Sequence, residues 1–418
     1  MKPDYIDSLF AESAMYITDP LWKDIPLPGP FAELVLSASF QKLNRIKQNG
    51  PAYHVYPGAV HTRYSHSLGV YYLSSQILHT LTLSGHAPFT KRGMASFLAA
   101  SLLHDLGHFP YAHSLKELAI REHEELASEI IGSDDEILTA LDKIGADAEM
   151  VSAIIDTERA ANDDETQIYR RILSGTLDPD KLDYLNRDAF FSGVPYGSQE
   201  TERVIRSLVY CDGEILIKPS ASPCVEHLLF SKYLMYKNVY WHKYVRSATA
   251  MVKKALLEAI GEKVIREEDL YFLDDEQFAT LPDKHPDFTP FELISDERNG
   301  KLCSCPFEKD YEKNGPLEKA ASDIYKRREA EERLYKALSA HNSGLKPHQV
   351  IIDVPEPIKF ESDISILTEN GKARFDEVDP LFSKDIKNLF AKSLRKVRIF
   401  TPQSVSGKEI REAVENVF

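Results

Sequence analysis

The chain has 418 residues, 43% hydrophobic and 28% charged, the balance of a folded globular protein rather than a disordered one. At this length a large core and more than one domain are available. A formal net charge of −15 argues against a broad basic face for gripping a nucleic-acid backbone, so nucleic acid is not an expected partner and a phosphorylated ligand would need local attraction.

In chain order, the opening MKPDYIDSLFAES lacks a basic segment followed by an apolar one, and no later run is long enough to span a membrane. The expectation is a cytoplasmic protein without a membrane partner. Residues 30–47 carry apolar positions at helical spacing and stop before Asn49-Gly50-Pro51. A Pro57-Gly58 turn then leads into a long helix from about Arg63, and residues 92–105 form another apolar helix that breaks at Gly107 and Pro110. Helices are expected over 115–132, 146–156 and 167–174, and Asp178 with Pro179 reads as the capped start of the next. Asp212-Gly213 between alternating apolar residues predicts a hairpin, and a tyrosine-rich helix follows. Its aromatic stripe is read as core.

After about residue 262 the composition turns acidic and Pro-rich, followed by the charged helix LEKAASDIYKRREAEERLYKAL. QVIIDVPEP reads as a strand, IKFESDISILTENGKARF as a hairpin turning at Asn370-Gly371, and KVRIFTP as a last strand. Two regions are therefore expected: residues 1–262, mainly helical, and residues 263–418, a small α+β appendage. The four cysteines, at 211, 224, 303 and 305, are too few and irregular for a disulfide framework, and Cys303-Ser-Cys305 lacks a second thiol pair to complete a zinc site.

Chemistry concentrates in HTRYSH, HDLGHFPYAH and DPDKLDYLNRD. His66, His104, Asp105 and Asp180 make a plausible first shell for a divalent metal, because imidazole and carboxylate bind such ions without thiolate. Two His and two carboxylates do not select among Mn, Fe, Mg, Zn and Ni. His104 and Asp105 are neighbours about 100° apart on an ideal helix, so both reach one ion only where the helix ends, which Gly107 permits. Arg63, one turn before His66, and Lys181, next to Asp180, are cations suited to phosphates. His108, His113 and His123 are candidate proton donors or phosphate contacts.

The order His66, His104-Asp105, Asp180 resembles that of the HD-domain superfamily of metal-dependent phosphohydrolases. FQKLNRIKQNG, YHVYPGAVHTRYSHSLGV, LLHDLGHFPYAHSLK, EHEELAS, DPDKLDYLNRD and VYWHK further resemble, in order and spacing, its deoxynucleoside triphosphate triphosphohydrolase branch over about residues 38–250. That resemblance implies a mainly α fold: an HD-type helical core with small β-hairpins and the C-terminal α+β part. It implies hydrolysis of a dNTP, dGTP among the candidates, to deoxynucleoside and triphosphate by a homo-oligomer, dimer or tetramer, with residues 1–262 as the catalytic HD-type domain and residues 263–418 serving oligomerisation or regulation.

By the same resemblance Arg63, His108, His123 and Lys181 contact the phosphates, and His113 is the general acid at the leaving 5′-oxygen. Gln48 and Asp188 hold the 3′-hydroxyl, Tyr184 packs on the deoxyribose, Tyr240 approaches the sugar or base, and Glu124 orients His123 or a neighbour. Three positions depart from the family pattern. Trp241 replaces a usual glutamine, Lys232 a usual arginine with its bidentate fork, and Asn44 an arginine that binds an activating nucleotide in regulated relatives. The competing readings are an HD phosphohydrolase of another nucleotide and a nucleotide-sensing or single-strand-binding regulator without turnover. The absence of a GYP segment disfavours the branch that cleaves cyclic dinucleotides.

Overall fold

The apolar runs that follow Asn49-Gly50-Pro51 form the centre of the protein. In a computed structural model, which describes residues 5–418 except 12, 84–86, 119, 162, 212, 359–363, 370 and 380–383, these runs are the helices Arg63–Leu83 and Lys91–Leu103. From Gly93 to Leu103 every residue of the second helix is buried, as expected of a helix apolar on all sides. Thr90 starts it, its hydroxyl accepting from Gly93 N at 2.9 Å. The helices Ala148–Ile155, Asp164–Leu173 and Pro179–Ser192 pack around this pair. The last begins at Asp178, whose carboxylate accepts from Lys181 N at 2.6 Å, and ends at Gly193 with φ 67°.

Helices dominate the described residues, as the mainly α expectation requires, with three small sheets beside them. Among these residues no helix is long and apolar enough to cross a membrane.

Several local expectations need correction. The first strands come early: Ser13–Asp19 and Lys23–Pro28 form an antiparallel hairpin where no strand was expected. Its turn places Lys23 at φ 64°, without a glycine to announce it. The single helix expected over 30–47 is Gly29–Leu36, Ala38–Gln41 and a 3₁₀ turn, because Ser37 leaves the helical path and caps the second piece. Residues 112–118 form 3₁₀ turns, so the helix expected from 115 starts only at His123, and Asp135–Ile144 is an additional helix. The tyrosine-rich helix is interrupted by a π-helical segment, Tyr236–Tyr240, between Ser222–Met235 and Lys243–Gly261. The charged helix is split into Pro316–Ala320 and Ile324–Ser339.

In the C-terminal half, Lys396–Thr401 pairs antiparallel with both Ser304–Asp310 and Ile351–Asp353. The hairpin Leu208–Cys211/Glu214–Ile217 extends through a parallel strand, Ser365–Thr368, to Gly371–Arg374. Strands from either side of residue 262 thus share one sheet. The expected turn residues Asp212 and Asn370 lie outside the described residues.

Candidate metal centre and active-site cavity

The ends of the central helices open into a cavity of about 1050 Å³. Of the residues singled out in the sequence, Gln48, Arg63, His66, His104, Asp105, His113, His123, Glu124, Asp180, Lys181, Tyr184, Asp188, Lys232 and Tyr240 line it. His108 is wholly buried and stands against His113 and His123, with ring centroids 4.7 and 3.7 Å away. Residues beyond 262, including Asp275, Glu297 and Asp353, complete the wall.

His66 occupies the first turn of its helix, His104 caps the end of the next, and Asp105 follows it. Asp180 sits in the first turn of Pro179–Ser192. Candidate ligand atoms of His66, His104 and Asp105 lie within 4.8 Å of one another. Asp180 Oδ1 joins them, 2.9 Å from His66 Nε2 and 4.0 Å from His104 Nε2. His104 Nδ1 faces Ser101 O at 2.9 Å, which leaves Nε2 as the inward nitrogen. That nitrogen is buried and forms no hydrogen bond, an orphan a metal ion would satisfy. The donor set therefore fits a divalent cation.

Electrostatics support this. Arg63 donates to Asp105 Oδ2 at 2.7 Å. Burial alone would raise the Asp105 pKa, but His108, Arg63, His104 and His66 together hold it well below the carboxylate range. Burial opposes charge on His66, yet Asp180 and Asp183 on its two ring nitrogens push its pKa up to about 10.

The three remaining histidines form a second group. His108 Nε2 and His113 Nε2 are 3.0 Å apart, and Glu124 Oε2 lies 3.0 Å from His123 Nδ1. Gly107 allows this packing: a Cβ there would fall 2.1 Å from His123 O and 2.5 Å from Ala127 N. Enclosure, followed by the charges of Arg63 and His123, pushes the His108 pKa well down. The same influences, His123 ahead of Arg63, lower that of His113.

Further along the cavity, Asp188 accepts from Tyr240 OH at 2.5 Å and faces His61 Nε2 at 2.7 Å. The π-helical segment, closed by Trp241 N donating to Tyr236 O at 2.9 Å, carries Tyr240 to this contact. Tyr184 meets the Tyr240 ring edge-on at 6.4 Å. Gln48 N donates to His61 O at 3.0 Å, while Gln48 Oε1 is buried without a partner. Lys181 Nζ donates to Asp178 and Gly175 O at 2.5 and 2.9 Å, and Lys232 is buried.

Sequence reasoning assigned no role to His61, which stacks on Phe191 and holds Asp188, or to Asp183, 2.8 Å from His66 Nδ1. One available signal was spacing, because Asp183 lies one helical turn after Asp180.

The fold and the donor set define a mainly helical protein with a His/Asp divalent-cation centre. The family model of the HD domain matches residues 63–174, and that of the HD associated region matches residues 200–418. The chain belongs to the HD-domain superfamily of metal-dependent phosphohydrolases.

The uncharacterized protein MJ1154 of Methanocaldococcus jannaschii is 30% identical over 408 residues, 95% of this chain and 81% of that protein. The deoxynucleoside triphosphate triphosphohydrolase SAMHD1 homolog of Dictyostelium discoideum is 25% identical over 260 residues, 59% of this chain and 50% of its own length. A crystal structure of a hypothetical protein from Aquifex aeolicus superposes with a TM-score of 0.73 at 26% identity, over 96% of this chain and 99% of that one. Other curated relatives are matched over only about half their length, 51% in Bacillus subtilis YwfO.

Proposed function

We propose that the protein hydrolyses deoxynucleoside triphosphates to deoxynucleoside and inorganic triphosphate. The observation that carries this reading is one cavity holding both a divalent-cation donor set and, around Asp188, a set of groups suited to a deoxyribose. A bound divalent cation supplies Lewis-acid polarisation of the phosphoryl group and a source of nucleophilic water. Gln48 Oε1 is an unmet buried acceptor that a 3′-hydroxyl satisfies, and Asp188, with about four acceptor positions, keeps capacity for the same group. Tyr184 packs on the sugar face and disfavours a 2′-hydroxyl. Arg63, Lys181, Lys232 and His123 meet the phosphates, while His108, buried behind the cavity wall, packs against His123. The similarity to the Dictyostelium triphosphohydrolase homolog supports the choice of substrate.

His113 is the proton donor to the leaving 5′-oxygen. Burial and the neighbouring charges of His123 and Arg63 lower its pKa to about 3, which keeps it neutral at pH 7. A polyanion beside it favours the charged form, so His113 takes up a proton with the ligand. Inorganic triphosphate should therefore bind more tightly as pH falls from about 7.5 to 6, and calorimetry in buffers of different ionisation enthalpy should register net proton uptake. Proton release, or affinity rising with pH, would contradict the assignment.

Chromatographic product analysis tests the reaction itself. All four dNTPs, each alone and paired with GTP, are incubated with Mn²⁺ or Mg²⁺. Intact triphosphate is the expected product. Stepwise release of phosphate or pyrophosphate, without triphosphate, would transfer the site to another nucleotide chemistry.

A further inference from the structure

Asp19, Asp183 and Arg187 lie outside residues 63–174 and 200–418, the two segments matched by the family models. They nevertheless form a continuous buried chain ending on a candidate metal ligand. His66 Nδ1 is 2.8 Å from Asp183 Oδ2. Arg187 donates to Asp183 through Nε at 2.8 Å and Nη2 at 2.9 Å, and its Nη1 reaches Asp19 Oδ2 at 2.7 Å. Trp22 Nε1 donates to Asp183 Oδ1 at 2.5 Å, and Asp19 Oδ1 in turn accepts from the backbone of Leu21 and Trp22. His66, Asp183 and Arg187 are essentially inaccessible to solvent.

We infer that Asp183 is a positioning residue for the metal ligand His66, and that the N-terminal hairpin belongs to the metal centre through Asp19, Trp22 and Arg187. The inference rests on the metal-centre reading above.

The reason is the tautomer. Only an imidazole protonated on Nδ1 offers its Nε2 lone pair to a cation, and the acceptor at Nδ1 selects that form and fixes the ring. Asp183 supplies the acceptor. Its four acceptor positions are filled by His66, two Arg187 nitrogens and Trp22, so the carboxylate has no free direction in which to turn.

The helix carrying His66 is shaped for this contact. Gly69 lies one turn beyond it, and a Cβ there would fall 1.9 Å from Asp183 Oδ1 and 2.6 Å from Arg187 Nη2. Any side chain at 69 would displace the pair. A purely structural ion pair between Asp183 and Arg187 would not need the histidine contact.

The test measures Mn²⁺ affinity of the full chain by competition with a chelator, with circular dichroism to verify folding. Asp183→Asn and Gly69→Ala should each weaken Mn²⁺ binding about 10–100-fold, the usual cost of losing an outer partner of a ligating histidine. Asp19→Asn, which leaves the His66–Asp183 contact in place but loosens Arg187, should weaken it less. In the Co²⁺-loaded protein the visible absorption bands should shift in Asp183→Asn. Asp19→Asn touches only the hairpin end and decides the matter where the other two fail to fold. Wild-type affinity in the folded variants would falsify the positioning role while leaving the metal centre intact. A wild-type chain that binds no Mn²⁺ would instead remove the metal centre itself.

Discussion

Replacing His104 with alanine should give a folded protein that has lost its divalent cation and at least about a hundredfold of its hydrolytic rate. Loss of an outer partner already costs about 10–100-fold in metal affinity, and a direct ligand contributes more. Folding should survive because His104 stands at the mouth of a cavity, with 13% of its side chain exposed, just past the last turn of its helix. Its imidazole Nδ1 faces Ser101 O, a carbonyl at a helix C-terminus, at 2.9 Å. Metal content by mass spectrometry, triphosphate release by ion-exchange chromatography and thermal melting separate these effects. Retention of both metal and rate would mean that the ligands have been misassigned.

Arg187→Met should cause the largest loss of stability. The guanidinium is wholly buried between Asp19 and Asp183, and its removal strands two carboxylates in the interior. Breaking such a buried pair typically costs about 3–5 kcal/mol, measurable as a lower urea midpoint. A matched change at Arg206, paired with Glu202 on the exposed surface, should leave the midpoint unchanged.

The pH dependence should move as well. Burial tends to raise the Asp183 pKa, but Arg187 and His66 hold it below the ordinary value. Asp183 therefore contributes stability above about pH 4, and this is lost as pH falls through its folded-state pKa. Without Arg187 that pKa rises, so acid unfolding should begin at higher pH. Circular dichroism across a pH series checks the direction.

How much of this was legible in the sequence follows from how local each cause is. The helices Arg63–Leu83 and Lys91–Leu103 announce themselves because an apolar run with clear stops needs no partner to be recognised. The start at Asp178-Pro179 is equally local, one side chain satisfying one backbone N–H. The four metal-ligand candidates were readable as residue types, and the HD resemblance put them in order. The N-terminal hairpin was not readable: Ser13–Asp19 and Lys23–Pro28 turn without a glycine or an Asn-Gly pair.

The break at Ser37 and the π-helical segment at Tyr236–Tyr240 also escape a 3.6-residue pattern, since both change backbone hydrogen bonding without changing apolar spacing. Tertiary demands impose them, Tyr240 on Asp188 being one. The part taken by His61 was hidden because it acts across 127 residues on Asp188, a separation no local pattern encodes.

The contact between Trp22 and Asp183 spans 161 residues, and that between Asp19 and Arg187 spans 168. During synthesis the hairpin leaves the ribosome well before its buried partners. Until residues 183 and 187 emerge, Asp19 and Trp22 lack these partners and His66 lacks the acceptor that sets its tautomer. Long-range closures of this kind come late in folding, after local helices have formed. On the positioning inference above, cation capture is expected late in the life of the nascent chain, and a polypeptide stalled before residue 180 would carry most of the HD segment without Asp180 or Asp183.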